Sequence, residues 1–321
     1  MHRIFSVCLT ALVFVALAIP AHSAEKTRLL LGAGNTSSSH YGYWVAVSQV
    51  INSKVPNVES TAVETGAAVD NLRRISRGQN DMGLVTTNSV YHAYHGLEQW
   101  KDKPIKTRIL WVYAFSPQII TVRADSNIKS ITELEGKKIN PGGKGSSTEV
   151  TSEAVMKAFG IKPDWVRGAT TNIVDAIKDN RIHGYIKSGN GDKIDASTQD
   201  IMTTTDLTFL GISPEQEDII AKQFPELTVM RLEKAHPSIP PFTTWAFGNT
   251  SACRMDLPDE IAYQITKAIC EDKEIQASGF SGVKGLDFVA QTMKFANVPL
   301  HPGAIKYYRE VGADIPAHLI P

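Results

Sequence analysis

Short apolar runs and stretches of helical periodicity alternate along this chain, and the alternation limits its architecture more than any other feature. Residues 28–31 read as a strand that ends in a turn at Gly32. A helix follows over 41–52, with Trp44, Val47 and Ile51 at helical spacing. Residues 58–63 read as a strand, and Val69, Leu72 and Ile75 mark a helix closed by Gly78. A short strand at 82–85 and a helix at 89–95 come next, then a long β-rich run at 109–122. Ser147 or Thr148 is placed to cap a helix with Val150, Ala154, Val155, Ala158 and Phe159 on one face, ended by Gly160. Residues 173–178 read as helix, 184–187 as strand and 242–247 as extended chain. Pro258 opens a helix to Glu271 with Ile261, Ile265 and Ile269 aligned, and Ala304, Tyr307, Tyr308 and Val311 stripe a last one.

Such alternation builds α/β layers with largely parallel sheets. Two long extended runs, near 109–122 and 227–247, divide the pattern into two sets. The expectation is therefore two lobes, residues 24–115 with 242–321 and residues 116–241, between which the chain crosses twice. A ligand would sit in the cleft, outside the carboxyl ends of strands.

Residues 1–23 read as an export leader. His2 and Arg3 give a positive end, residues 4–19 are mostly apolar, and Pro20 breaks the run. Ala21 and Ser23 then place small side chains three residues and one residue before a cleavage point at Ala24. The run is short for a membrane span, which needs about 20 residues. The expected location is the periplasm. Lys and Arg total 33 and Asp and Glu total 33, a balance that argues against bulk nucleic-acid binding. Cleavage removes Cys8 and leaves Cys253 and Cys270. Cys270 falls roughly 18 Å along the helix opened by Pro258. A bridge needs Cα atoms within about 7 Å, so packed thiols are the expectation.

Five polar, glycine-rich loops each follow a strand and precede a helix. They are residues 32–41 (GAGNTSSSHY), 64–68 (ETGAA), 86–89 (TTNS), 140–148 (NPGGKGSST) and 187–192 (KSGNGD). Glycine lets backbone approach a ligand, and the free N–H groups of helix starts suit a carboxylate or phosphate. One such loop is ordinarily a cap and a turn. Five in one chain point to a convergent polar site.

Enzyme motifs are approached and missed. Gly32-Ala33-Gly34 lacks the third glycine of a dinucleotide fingerprint, where Ser37 stands. In 142–146, Lys144 is followed by Gly145 rather than the hydroxyl residue of a phosphate loop. Val283 occupies the final glycine position of a nucleophile elbow at 279–283. His92 and His95 share a helix face, but no third metal ligand is evident. No catalytic residue, metal or cofactor is expected.

The loops in this order resemble the TAXI family of solute-binding proteins, the extracytoplasmic receptors of tripartite ATP-independent periplasmic (TRAP) transporters. Residues 32–41 resemble that family's opening glycine-threonine loop. Val69-Asp70-Asn71-Leu72 with Ser76-Arg77-Gly78 and Asp81-Met82-Gly83 resembles its next conserved stretch. Thr86-Thr87-Asn88 followed by Tyr91-His92-Ala93-Tyr94-His95-Gly96 resembles Q-S-D-x-A-Y-x-A-Y-x-G, and 128–138 resembles I-x-S-x-x-D-L-x-G-K. Residues 145–148 resemble a G-S-G-T loop, and 298–304 with Tyr307-Tyr308 an I-P-L-H-P-G-A ending. Each piece is short, but the resemblance in this order extends over nearly the whole chain after the leader.

The resemblance implies an α/β, two-lobe, periplasmic-binding-protein-like clamshell with two crossing strands. It would pass a small organic acid to TRAP-type membrane permease subunits and act as a monomer without chemistry of its own. Carried over, the site would take Asn35, Thr36, Ser39 and His40 from the first loop and Thr86, Thr87 and Asn88 from the third. Lys144, Ser146, Ser147, Thr148, Lys187, Gly189 and Asn190 would come from the other lobe, and Thr244 and Trp245 from a crossing strand. There are departures. Asn35 stands for a glycine, His40 for a tyrosine, and Thr86-Thr87-Asn88 for Gln-Ser-Asp. Lys144 and Lys187 stand where the family more often has uncharged residues, and Ala114 and Trp245 also differ. A lost acid and gained bases favour a mono- or dicarboxylate, with a keto or hydroxy acid preferred over an amino acid. Asp192 is the one nearby acid that could turn inward and pair an ammonium. Two other roles share the same features: a receptor feeding a membrane sensor kinase, and an exported enzyme.

Overall fold

The computed structural model describes residues 26–321, so the leader read at 1–23 lies outside the described residues. The chain runs β1 (Thr27–Gly34), α1 (Ser39–Lys54), β2 (Val58–Glu64), α2 (Ala68–Ser76), β3 (Met82–Thr86), α3 (Thr87–His95), β4 (Arg108–Arg123), β5 (Lys138–Asn140), α4 (Ser147–Ala158), β6 (Asp164–Trp165) and α5 (Thr170–Lys178). It continues through β7 (Gly184–Ser188), α6 (Ala196–Met202), β8 (Leu207–Leu210), α7 (Pro214–Gln223), β9 (Thr228–Leu232), β10 (Phe242–Cys253), α8 (Asp259–Glu271), α9 (Ile275–Gly279), α10 (Phe288–Phe295) and α11 (Pro302–Glu310). No described helix is long and apolar enough to cross a membrane.

The strands join in one hydrogen-bonded path, β2-β1-β3-β10-β4-β7-β5-β6, with β8 beside β4 and β9 beside β10. Pairing of β1 with β2 and β3 is parallel, as is pairing of β5 with β6 and β7. The path is continuous because the two longest strands pair with each other. Residues 108–117 of β4 run antiparallel to 246–253 of β10. Beyond that overlap β4 pairs with β7 and β8, while the first half of β10 pairs with β9. Each long strand thus serves one group of helices with one half and a second group with the other. The extended run expected at 227–247 is two strands: β9 folds back antiparallel on β10, and β10 alone makes the second passage.

Helices packed on the two parts of this curled sheet enclose separate apolar cores. The larger gathers Leu31, Trp44, Val47, Trp111, Ile265 and Tyr308. The second gathers Ile120, Leu134, Ile139, Met156, Ile186, Trp245 and Phe247. The two halves of β10 therefore feed different cores: Trp245 and Phe247 pack in the second, and Ala252 and Cys253, further along the strand, pack in the larger one. Trp44, Trp111 and Trp245 are fully buried; truncating such a side chain to alanine costs about 3–5 kcal/mol.

Caps fix where the helices begin. Ser146, not Ser147 or Thr148, caps α4: its hydroxyl accepts the Glu149 N–H at 3.1 Å. The glycine run ahead of it delays helical dihedrals until Ser147. Ser213 caps α7 in a reciprocal box with Gln216, with Pro214 in the first turn.

Candidate functional site

Five helix starts open on one cavity of about 80 Å³ between the two helix groups. Its wall takes Ser38 and His40 from the start of α1, Ala67 and Ala68 from α2, and Thr86 from α3. From the other side come Ser146, Ser147 and Thr148 of α4, Ala169 and Thr170 of α5, and Lys187 and Ser188 of β7. First-turn N–H groups have no partner within their own helix, and they carry the positive end of its dipole. At roughly 10–15 Å³ per water, the cavity has room for about five to eight water-sized groups.

Glycine lets the two sides touch. A Cβ on Gly66 would lie 2.7 Å from the Lys144 carbonyl oxygen. Gly145 has φ of 81°, a conformation that favours glycine, and its carbonyl accepts both the Val69 and Asp70 N–H groups at 3.1 Å. Ala67 is a strained exception with φ of 72°, in the cavity wall, where no glycine relieves it.

Lys187 is buried, and its ammonium donates to Ser38 Oγ at 3.0 Å. It lies 3.5 Å from the carboxylate of Asp195, which is also fully buried. Burial pushes that carboxyl's pKa up, but the Lys187 charge and the Ser197 hydrogen bonds outweigh it and hold the group below the ordinary carboxylate range. His40 is stacked on Phe280 with centroids 5.2 Å apart. Burial, and then the Lys187 charge, lower its pKa to about 4. His40 is thus a neutral ring at neutral pH, not the added positive charge read from the sequence.

Of the residues read as site residues, Asn35, His40, Thr86, Lys144, Ser146, Ser147, Thr148 and Lys187 line the cavity. Lys144 is exposed at its rim. The others lie behind or beside the wall. Thr36 bonds Glu64, and Ser39 Oγ accepts the Ala196 N–H. Thr87 Oγ1 accepts the Gly248 N–H, and Asn88 donates to Thr151. Gly189 accepts the Ser116 hydroxyl, and Asn190 Oδ1 accepts the Gly282 N–H. Thr244 is spent on the Gln118 carbonyl. Trp245 is fully buried in the second core and does not line the cavity. Asp192 is exposed and paired with Lys193 at 3.0 Å, so it does not turn inward. The buried acid beside the cavity is Asp195, three residues further on, which lies behind the wall against Lys187 and Ser38 and was not singled out in the sequence. The Asp195-Ala196-Ser197 cap pattern marks its place, since Asp195 accepts the Ser197 N–H.

A second cavity of about 200 Å³ lies past the contact of Thr86 with Ser147 and is walled by Asn88, His92, Trp100, Thr151, Phe224 and Glu226. His92 faces Glu226 at 3.5 Å, while His95 packs on Tyr91. The two histidines thus have separate partners.

The sequence profile of the NMT1-like family matches residues 31–312. Solved structures of similar shape include a periplasmic transporter at 12% identity, covering 91% of this chain and 94% of the other, with a TM-score of 0.53. A putative L-cystine ABC transporter from Listeria monocytogenes is 13% identical over 80% of this chain and 96% of its own, with a TM-score of 0.51. A structure describing glutathione import via GshT and the cystine ABC importer TcyBC of Streptococcus mutans is 12% identical over 81% and 97%, with a TM-score of 0.50. At these identities the likeness is one of fold, and that fold is periplasmic-binding-protein-like.

Proposed function

This chain belongs to the NMT1-like family, and from that premise we propose that it is an exported receptor for a small organic anion, which it captures between its two helix groups and hands to a membrane permease. The observation that carries the reading is the convergence of five helix starts and one buried lysine on a single small cavity. A buried anion needs hydrogen-bond donors and favourable partial charge, and helix starts with a lysine ammonium beside them supply both. The two sides meeting there, residues 24–115 with 242–321 and residues 116–241, are proposed to act as lobes that part to admit the ligand.

A carboxylate is the preferred anion. The cavity is too small for a drug-sized molecule, which needs about 300 Å³ or more. It also has no unspent acid to meet an ammonium, since Asp195 is engaged with Lys187 and serine donors. The leader at residues 1–23 supports export. The loop pattern shared with TAXI receptors supports a TRAP-type permease as the partner, although two of the similarly folded proteins carry ABC transport in their names. A hydrolytic role is disfavoured by His40. Its Nε2 lies 3.4 Å from the Ser116 and Ser188 hydroxyls, but its buried Nδ1 has no partner. A serine hydrolase orients that second nitrogen with an acid.

Native mass spectrometry of the protein purified from its export compartment tests the reading. A co-purifying mass of a small organic acid, displaced by denaturation, is expected. A bound sugar or amine, with no thermal shift from any organic acid, would count against it.

A further inference from the structure

Asp195 is placed as no surface acid is. One oxygen accepts the Ser197 N–H at 3.0 Å and the Ser197 hydroxyl, which caps its own helix, α6. The other accepts the Ser39 N–H at 2.9 Å and the Ser38 hydroxyl at 3.3 Å, at the start of α1 on the opposite side of the cleft. Ser39 Oγ returns the bond by accepting the Ala196 N–H at 2.9 Å. The two helix starts thus cap each other through one carboxylate, and that carboxylate faces Lys187 at 3.5 Å.

This arrangement changes the charge available to a ligand. The positive end of α1 is already occupied by an anion, and it is part of the protein. The Lys187 charge is matched by Asp195 within the same buried cluster. His40 is neutral at neutral pH. Lys144 is exposed, where solvent and salt screen it. What remains for a ligand is the spare donor capacity of Lys187 and the partial charges of the other helix starts, each at most about half a unit. That suffices for one negative charge. A second, brought close to the Asp195 carboxylate, meets repulsion in a site with little water to relieve it.

Building on the reading of this cavity as an anion site, we propose that Asp195 is a specificity-determining residue that limits the ligand to a single negative charge. The cavity accepts an organic monoanion and rejects the dianion of the same size.

The test needs pairs of acids matched in shape that differ by one charge. Malonate with malonamate, and succinate with succinamate, meet this condition, and affinities are read by titration calorimetry at pH 7.5. For the wild type, at least one monoamide is expected to bind tenfold or more tightly than its diacid. Asp195→Asn keeps the shape and the capping oxygen but frees the Lys187 charge, so the ratio should shift toward the diacid by tenfold or more. Lys187→Met has the opposite sign: it leaves Asp195 uncompensated, weakens both acids and weakens the diacid at least tenfold further. That variant keeps the test open should Asp195→Asn fail to fold, which circular dichroism and thermal melting report. Equal binding within both pairs by the wild type overturns this proposal alone, as does a ratio unmoved in a folded variant. A wild type that binds none of the four acids overturns the anion reading and this inference with it.

Discussion

The hydroxyls of Thr86 and Ser147 lie 2.6 Å apart and join the start of α3 to the start of α4 across the cleft. Thr86 directs its one proton to Asn88 Oδ1 at 2.7 Å, so Ser147 is the donor in this contact. The bond joins the two sides of the cavity and belongs to neither side alone.

Ser147→Ala should therefore weaken capture of a small organic acid several-fold while barely changing the melting temperature without ligand. One neutral hydrogen bond contributes about 0.5–1.5 kcal/mol, and Thr86 keeps other partners. Ser146→Ala should behave differently. It removes the α4 cap, worth about 1 kcal/mol, and lowers stability with or without ligand. Calorimetric melting of both variants, with and without the acid, separates them. Equal stability losses in the two would contradict this assignment of the cap.

Stability should fall with acid in a window set by His40. In the unfolded chain the ring takes its proton near pH 6.5, and in the folded protein near pH 4. The unfolded state binds more protons between those values, so the stabilisation is complete above about 6.5 and lost as pH drops toward 4. The loss amounts to about 3 kcal/mol. Urea melts from pH 7 to pH 4.5 should show this slope, and His40→Gln should flatten it. An unchanged slope in the variant would remove His40 as the source.

Cys253 and Cys270 are both buried and unpaired. Burial pushes the Cys253 thiol far up and the Cys270 thiol up to about 12. Neither should react with iodoacetamide in the native protein at pH 8, and both should react in denaturant without reductant. Mass spectrometry of the labelled chain decides this; a disulfide-linked peptide would overturn it.

Trp245 separates a core residue from a ligand contact. Trp245→Ala should cost about 3–5 kcal/mol of stability. Trp245→Phe, which removes a buried indole N–H that has no partner, should cost much less and leave affinity for an organic acid within twofold. A tenfold affinity change in the folded Phe variant would place this side chain at the ligand after all.

Much of the fold was legible locally. Trp44, Val47 and Ile51 recur at the helical period, and their helix buries that stripe. The start of α7 was not read, although Ser213, Pro214 and Gln216 spell out its capping box locally. β5, β6 and β8 were not legible. They are two to four residues long and owe their existence to neighbours far away in sequence. β9 was read only as part of a crossing run, because nothing local says that it turns back on β10.

The glycine-rich loops fixed, by themselves, which stretches would carry helix starts and close backbone contacts, because a helix start depends on the cap residue and the few dihedrals beside it. Only the tertiary structure decided the charge of the place where they meet. Lys187 finds Ser38 and Asp195, and His40 loses its proton, because residues up to 157 positions apart in the chain are brought together out of water. Local propensity fixes position along the chain. Ionisation depends on burial and on partners, and both come only with the assembled fold.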